Sequence, residues 1–154
     1  IKDYIEETVT AKGTIGDTLS GDDVKITLTD ALIYPRIEGE AFTDTPAEGK
    51  EYLVFFFNVE NIDDENNFVS IHNFTGYVDD TLVASKILIN NVDNVQYLSA
   101  DLTPGKKARG YVAYEVDTNW KQFDIHYKEN SFDYNDSMIF TVVNEENNQN
   151  NNNA

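Results

Sequence analysis

The stretch Tyr52-Leu53-Val54-Phe55-Phe56-Phe57-Asn58-Val59 decides the fold of this chain. It follows Gly49-Lys50, where a strand can start, and precedes Asn61-Ile62-Asp63-Asp64, where it must end. Side chains alternate between the two faces of a strand. One face would carry Leu53, Phe55, Phe57 and Val59, and the other Tyr52, Val54, Phe56 and Asn58. The first set is wholly apolar and predicts a core face, whereas the second turns polar at Asn58 and predicts an outer face.

Similar alternation recurs along the chain. It is clearest at Val24 to Leu28, Phe74 to Val78, Gly110 to Val116, Phe123 to Tyr127 and Met138 to Val143. Turn residues separate these segments, as at Asp79-Asp80-Thr81 and Thr103-Pro104-Gly105-Lys106. About eight strands joined by short turns predict an all-β fold of two packed antiparallel sheets. Residues 84–95 remain open between a short strand, a helical turn and a crossover loop.

The chain divides into three parts. Residues 1–12 are interpreted as a segment that follows a removed signal or anchor region, because the chain begins at Ile1 and its only methionine is Met138. Residues 13–143 form the predicted sandwich. Residues 144–154 are an Asn-rich polar tract without apolar side chains large enough to anchor it, and we expect this tail to be disordered.

Composition excludes several classes of function. The chain has 28 acidic and 11 basic residues, a net charge of −17, so nucleic acid and an anionic membrane surface are poor partners. It has no cysteine, which removes disulfides, thiol catalysis and zinc–thiolate sites. No G-x-S-x-G elbow, phosphate loop or dinucleotide fingerprint is present. The sequence therefore assigns no catalytic residue, no cofactor and no metal ligand, and favours a protein that is not an enzyme.

Several motifs together resemble a known family. They are Gly16-Asp17-Thr18-Leu19 before Val24, Gly49-Lys50-Glu51-Tyr52, the segment Thr103 to Val116, and Asn119-Trp120-Lys121. The chain resembles, over residues 13 to 128, an immunoglobulin-like domain-of-unknown-function family found in lipoproteins and secreted proteins of Gram-positive bacteria. Its motifs are turns and strand edges, which support fold more than function. The resemblance implies an immunoglobulin-like sandwich, export, a lipid anchor upstream of Ile1 and no known activity.

Two sets of residues are candidates for metal binding. His72 and His126 lack the paired spacing of a zinc site. Asp63-Asp64-Glu65-Asn66-Asn67, Asp22-Asp23 and Asp79-Asp80 are acidic loops rich in the oxygen ligands that calcium uses, although an EF-hand spacing is absent. A calcium-stabilised spacer of the cell envelope is therefore the alternative function. A hydrolase that uses a pair of carboxylates is a more distant one.

Two further motifs have competing interpretations. Trp120 could stack on a sugar ring, or could close the core where a turn enters the Phe123 strand, and the second is favoured. Asn73-Phe74-Thr75 and Asn135-Asp136-Ser137 fit the glycosylation pattern, which we interpret as chance in a chain of bacterial character.

The outer face of the opening strand suggests where a partner would dock. Tyr52, Val54 and Phe56 would form an exposed apolar patch, and such patches often mark interaction sites. The competing possibility is that residues 84–95, with Ile87 and Ile89, fold over them. Taken together, the sequence predicts an extracellular or envelope-anchored binding module. Its partner would be a protein or a carbohydrate, and it would contact membrane only through a lipid anchor.

Overall fold

The computed structural model describes residues 8–129 and 136–146, which form fourteen strands and one 3-10 turn, Ile71–Asn73. The strands exceed the predicted eight because several contain only two to four residues, too few for alternation to be read. Their bounds are Thr8–Gly13 (β1), Thr18–Ser20 (β2), Val24–Tyr34 (β3), Ile37–Glu38 (β4), Thr43–Asp44 (β5), Lys50–Asn61 (β6), Asn67–Ser70 (β7), Phe74–Val78 (β8), Thr81–Val83 (β9), Ser85–Lys86 (β10), Ser99–Leu102 (β11), Lys107–Asp117 (β12), Gln122–Tyr127 (β13) and Asp136–Val143 (β14).

Two five-stranded sheets form the sandwich. Sheet I has the order β10-β12-β6-β3-β2, sheet II has the order β1-β14-β13-β8-β9, and β4-β5 and β7-β11 form two small ladders. The pairing is antiparallel as predicted, except that β1 runs parallel to β14. Because β1 begins at Thr8, the sandwich includes residues that the sequence assigned to the preceding segment.

The main core lies between the two sheets, on the face that the sequence predicted. Leu53, Phe55, Phe57 and Val59 are at most 1% exposed. Their aromatic rings meet those of sheet II: the Phe55 centroid lies 5.0 Å from that of Phe123, and the Phe57 centroid lies 4.8 Å from that of Phe74. Contacts of this kind add to the free energy gained by burying the rings themselves.

The opposite face of sheet I is also buried over part of its length, and this corrects a prediction. Tyr52 and Phe56 are 2% exposed and Val54 is fully buried, so the proposed apolar patch is not on the surface. Residues 84–95 do fold over these side chains, as the competing possibility held. The covering contacts come from Leu88 and Val92, however, while Ile87 and Ile89 point outward and are 60% and 70% exposed. We call this second cluster the outer core; it consists of Ile37, Tyr52, Val54, Phe56, Leu88, Val92, Tyr111 and Ala113.

One carboxylate fastens the covering segment. Asp44 is 8% exposed and accepts hydrogen bonds from the backbone N–H groups of Ile89 (2.8 Å) and Asn90 (2.9 Å). The Asn90 side-chain amide donates to Asp44 (3.0 Å) and to the Phe42 carbonyl oxygen (2.9 Å). A buried carboxylate with several N–H donors is well satisfied, and here it joins β5 to the segment above the outer core.

A β-bulge changes which residues of β3 face the core. The register shifts between Leu28 and Asp30, so that Leu28 pairs with Phe57 and Asp30 pairs with Phe56. Thr29 is the extra residue, and beyond it the phase of the alternation is reversed. The bulge therefore places Thr29 and Asp30 next to the outer face of sheet I, at the edge of the outer core.

The structure confirms a predicted turn and changes the boundary of the predicted tail. Asp79 and Asp80 both have positive φ (46° and 67°), as expected of a tight two-residue hairpin turn. Asn144, which the sequence assigned to the tail, is 8% exposed and its N–H donates to the Lys121 carbonyl oxygen (2.8 Å). Residues 147–154 of the predicted tail and residues 1–7 of the predicted N-terminal segment 1–12 lie outside the described residues. Within residues 8–129 and 136–146, helices that could span a bilayer are absent.

Candidate ligand-binding groove

The uncovered part of the outer face of sheet I forms an open groove of about 600 Å³. Strand pairing aligns its side chains in two rows across β2, β3, β6 and β12. We call these residues the groove: the first row is Thr18, Thr27, Asn58 and Arg109, and the second contains Lys25, Glu60 and Lys107. They occupy the outer face because their neighbours Ile26, Leu28, Phe57 and Val59 point into the main core.

Arg109 is held in place on three sides. Its Nη1 donates to the Thr29 hydroxyl (2.8 Å) and to the Asn58 side-chain oxygen (3.2 Å). Its guanidinium lies 5.4 Å from the centroid of the Phe56 ring, a cation–π distance. Thr29 in turn donates to the Phe56 carbonyl oxygen (3.1 Å). The bulge thus supplies the hydroxyl that orients Arg109 at the boundary between groove and outer core.

The groove differs in charge from the rest of the molecule. It holds three of the chain's 11 cations and a single carboxylate, in a protein of net charge −17. The Lys107 Nζ lies 4.0 Å from Glu60 Oε1, and Arg109 Nη2 lies 3.9 Å from the carboxylate of Asp30, just outside the groove. Both pairs are long and solvent-exposed, so they neutralise the cations only weakly. In the described part of the chain Lys25 makes no ion pair.

The acidic loop at residues 63–67 is organised by hydrogen bonds from nitrogen donors. Fully buried Asn61 donates to the carbonyl oxygens of Glu65 and Leu102 (both 2.8 Å). The Asn67 amide donates to Asp63 (3.3 Å), and together with the Asp64 N–H it lowers the pKa of the Asp63 carboxyl. No three acidic or histidine side chains in residues 8–129 and 136–146 converge on one point, at this loop or at Asp22-Asp23 and Asp79-Asp80.

Four other residues singled out from the sequence lie outside the groove. Trp120 is 2% exposed in the main core, and its Nε1 donates to Glu51 (3.1 Å), so it closes the core as favoured. Asn73 accepts from the Ser70 N–H (3.0 Å) and donates to the Lys128 carbonyl oxygen (2.9 Å), so its amide is engaged in the fold. His72 is exposed, and the His126 ring packs at 4.9 Å on Tyr77. Asn135 lies outside the described residues.

Glu129 joins the end of β13 to the turn between β2 and β3. Its carboxyl accepts from the Asp23 N–H (3.0 and 3.2 Å) and lies against Gly21, where a Cβ atom would be only 1.5 Å from Glu129 Oε1. Burial, together with the neighbouring Asp23 carboxylate and against the backbone hydrogen bonds, raises the pKa of Glu129 to about 7. The turn that precedes Lys25 therefore rests on a carboxyl group that titrates near neutrality.

Sequence reasoning found the polar character of this face but not the groove. It noted that the alternation of the opening strand turns polar at Asn58. The register that aligns Thr27, Asn58 and Arg109 joins residues up to 82 positions apart, so no local pattern could show it. The available signal was three cations on outer faces of a strongly acidic chain.

Comparison with solved structures supports the fold. A candidate lipoprotein from Bacillus subtilis superposes with a TM-score of 0.66 at 18% identity, over 83% of this chain and 38% of that one. An uncharacterised β-sandwich protein from Clostridium difficile 630 gives 0.59 at 10% identity, over 92% and 99%. A candidate lipoprotein from Staphylococcus aureus gives 0.56 at 19% identity, over 82% and 89%. This chain thus spans well under half the length of the Bacillus subtilis protein.

The sequence itself identifies the family. No curated protein gives a significant match. Residues 13–150, nearly the whole chain, match the family described as domain of unknown function DUF4352, in agreement with the resemblance read from the turn and strand motifs. The chain belongs to the DUF4352 family.

Proposed function

We propose that this chain is a non-catalytic binding module that works outside the cytoplasm, in the envelope or beyond it, and that the groove is its ligand site. The observation that carries the proposal is the groove itself. It is the part of the sheet I outer face that the segment above the outer core leaves open, and it is lined by side chains able to hydrogen-bond a ligand. Its volume is within the range of small-molecule sites.

The chemistry of the lining favours binding over catalysis. Among the residues that line the groove, Glu60 is the one carboxylate, and histidine is not represented. A glycosidase-type reaction needs two carboxyl groups at a defined separation, and proton transfer at neutral pH usually employs a group with a shifted pKa. Threonine, asparagine, lysine and arginine are instead suited to orienting a ligand.

The extracytoplasmic part of the proposal is supported by the relatives. Two of the similar structures are candidate lipoproteins of Gram-positive bacteria. The absence of cysteine and the surplus of acidic residues are compatible with an exposed, soluble domain held near a surface.

Retention on envelope material tests the proposal. The purified chain is incubated with envelopes isolated from a Gram-positive bacterium, and the retained fraction is measured for three forms. Asn58→Trp fills the middle of the groove, whereas Asn119→Trp makes the same change at an exposed turn residue far along the sequence. We expect retention of the parent chain and of Asn119→Trp, and loss with Asn58→Trp. Equal retention of all three folded forms would refute the groove as the ligand site.

A further inference from the structure

We infer that the groove takes a small, hydroxyl-rich ligand carrying one carboxylate or phosphate group, with Arg109, Lys25 and Lys107 holding the oxyanion. The inference rests on the proposed function, since it names the class of ligand for the same groove. Carboxylate and phosphate share the chemistry that matters here, which is a set of oxygen acceptors with negative charge.

The cations are placed to act together. Lys25 on β3 and Lys107 on β12 flank β6, so their Cα atoms are about 10 Å apart from the strand spacing alone. Arg109 follows Lys107 by two residues on the same face, about 7 Å along the strand. An oxyanion above β6 is therefore within reach of all three long side chains. Arg109 is already oriented by Thr29, Asn58 and the Phe56 ring, so less side-chain entropy is lost when a ligand binds.

The carboxylates nearby lessen this attraction without cancelling it. Glu60 lies between the two lysines and Asp30 lies beside Arg109, at 4.0 and 3.9 Å from the nearest cation. Counting both, three positive charges face two negative ones. An incoming oxyanion can replace Glu60 as the partner of Lys107 and finds Lys25 without an ion pair in the described part of the chain.

The remaining lining is suited to hydroxyl groups. Thr18 and Thr27 place their hydroxyl oxygens 2.6 Å apart in the row that ends at Arg109, and Asn58 lies between Thr27 and Arg109. A hydroxyl or side-chain amide can both donate and accept, as can each hydroxyl of a polyol. Adjacent cationic and hydroxyl-bearing surfaces match a sugar acid or a sugar phosphate.

The charge of the whole molecule limits the size of the ligand. A net charge of −17 repels a long polyanion, whose charges would extend beyond the groove. A small ligand places its single anionic group within the local cationic field and exposes little else to repulsion. Specificity for small oxyanionic ligands over polyanions is therefore expected.

Titration of the isotope-labelled full chain followed by amide NMR tests the inference. The probes are glucose 6-phosphate, glucuronate and glucose, at constant ionic strength and pH. We expect saturable shifts at groove amides of β3, β6 and β12 with the phosphate, with the carboxylate, or with both, and at least roughly tenfold weaker binding of glucose. The phosphate and carboxylate arms separate the two sources of the oxyanion.

Charge-matched variants locate the site. Lys25→Gln and Lys107→Gln each remove one positive charge from the groove, and Lys86→Gln removes the same charge from an exposed position on β10. We expect roughly three- to tenfold weaker binding of the anionic probe with each groove variant, and no change with Lys86→Gln. All three substitutions are at exposed lysines, so a loss of folding does not confuse the result.

The outcomes are distinguishable from those of the envelope experiment. Glucose binding in the groove as tightly as its phosphate and glucuronate would overturn the oxyanion inference and leave the groove as a binding site. Equal weakening by Lys86→Gln and Lys25→Gln would reduce the attraction to overall charge and overturn it as well. The absence of groove shifts with all three probes would also overturn it, while the proposed function would still be decided by the Asn58→Trp retention.

Discussion

Two side chains of the sandwich, Tyr114 and Glu129, place a polar group wholly or partly away from solvent. Tyr114 lies deep in the main core, with its ring centroid 4.6 Å from that of Phe123, and burial raises the pKa of its hydroxyl. Among the described residues that hydroxyl has no hydrogen-bond partner. Glu129 is the opposite case, since its half-buried carboxyl is hydrogen-bonded but carries a charge that burial disfavours. Each case allows a substitution that changes a few atoms and leaves the packing in place.

Replacing Tyr114 by phenylalanine should stabilise the protein. An unpaired buried hydroxyl costs about 1–3 kcal/mol, so we expect the free energy of unfolding to rise by about 1 kcal/mol. Chemical denaturation measures the change, and Tyr97→Phe, at a ring 43% exposed, is the control expected to stay within about 0.5 kcal/mol. A clear loss of stability in Tyr114→Phe would mean that the hydroxyl has a partner that matters.

The stability of the protein should depend on the ionisation of Glu129. Its pKa is about 7 in the folded chain against an ordinary value of 4.5, so folding favours the protonated form. The stabilising contribution is complete below about pH 4.5 and is lost as the pH rises through about 7. Glu129→Gln keeps an acceptor for the Asp23 N–H and removes the titration.

We therefore expect Glu129→Gln to melt at a higher temperature than the parent at pH 8 and at nearly the same temperature at pH 5. The difference between the two proteins is the relevant quantity, because the other acidic residues titrate in both. Thermal unfolding across this pH range gives the measurement. A difference that did not change with pH would contradict a raised pKa at Glu129.

The central strands of sheet I, β6 and β12, are unusual elements because both of their faces are buried. Phe55 points into the main core and Phe56 into the outer core, and each is at most 2% exposed. On β12, Val112 likewise points into the main core and Tyr111 into the outer core. The strand interior is therefore apolar at consecutive positions, which is why the alternation read from the sequence fades at Tyr52 to Phe57.

Serine at either phenylalanine should be equally damaging. We expect Phe55→Ser and Phe56→Ser each to lower the free energy of unfolding by roughly 3–5 kcal/mol, as emptied core positions do. Phe68→Ser, at a ring 60% exposed on β7, should cost under about 1 kcal/mol. Urea denaturation of the three variants provides the comparison. A small cost for Phe56→Ser would show that the segment above the outer core opens readily.

How far each element could be predicted depends on whether its signal is local. Val24, Ile26 and Leu28 alternate within one strand, and their burial is confirmed at 0–1% exposure. The bulge at Thr29 has no such signal, since it is defined by the partner residues on β6. The sequence also has no local signal that Leu88, and not Ile87, covers the outer core. The orientation of that segment depends on its hydrogen bonds to the distant Asp44. The groove depends on the register of four strands and was therefore beyond sequence reasoning.

Over the whole protein, charge is strongly negative and unevenly distributed. Acidic residues outnumber basic ones by 28 to 11, and yet the cations are concentrated enough to give the groove a different sign. The acidic loop at residues 63–67, in contrast, satisfies the Asp63 carboxylate through the Asn67 amide and the Asp64 N–H. The cations of the groove and the acidic residues of the loops therefore occupy different parts of the surface.

Calcium should stabilise the protein only by screening. We expect millimolar calcium chloride to raise the melting temperature no more than sodium chloride of the same ionic strength, because no group of three acidic or histidine ligands occurs in the described ranges. Differential scanning calorimetry in both salts, with an EDTA-treated sample as reference, measures the effect. A saturable rise of several degrees specific to calcium would favour the envelope-spacer alternative instead.

The double burial of β6 has a consequence for the unfolded chain. Tyr52 to Phe57 is a run of six apolar residues, rich in aromatic side chains and without proline, which is the kind of segment that nucleates β-aggregates. In the native protein β3 and β12 occupy both of its edges and two cores occupy both of its faces. Lys50 and Glu51 before it and Asn58 and Glu60 after it supply the flanking polar groups that slow such association. Solubility during synthesis and refolding therefore depends on how soon β6 acquires its neighbours.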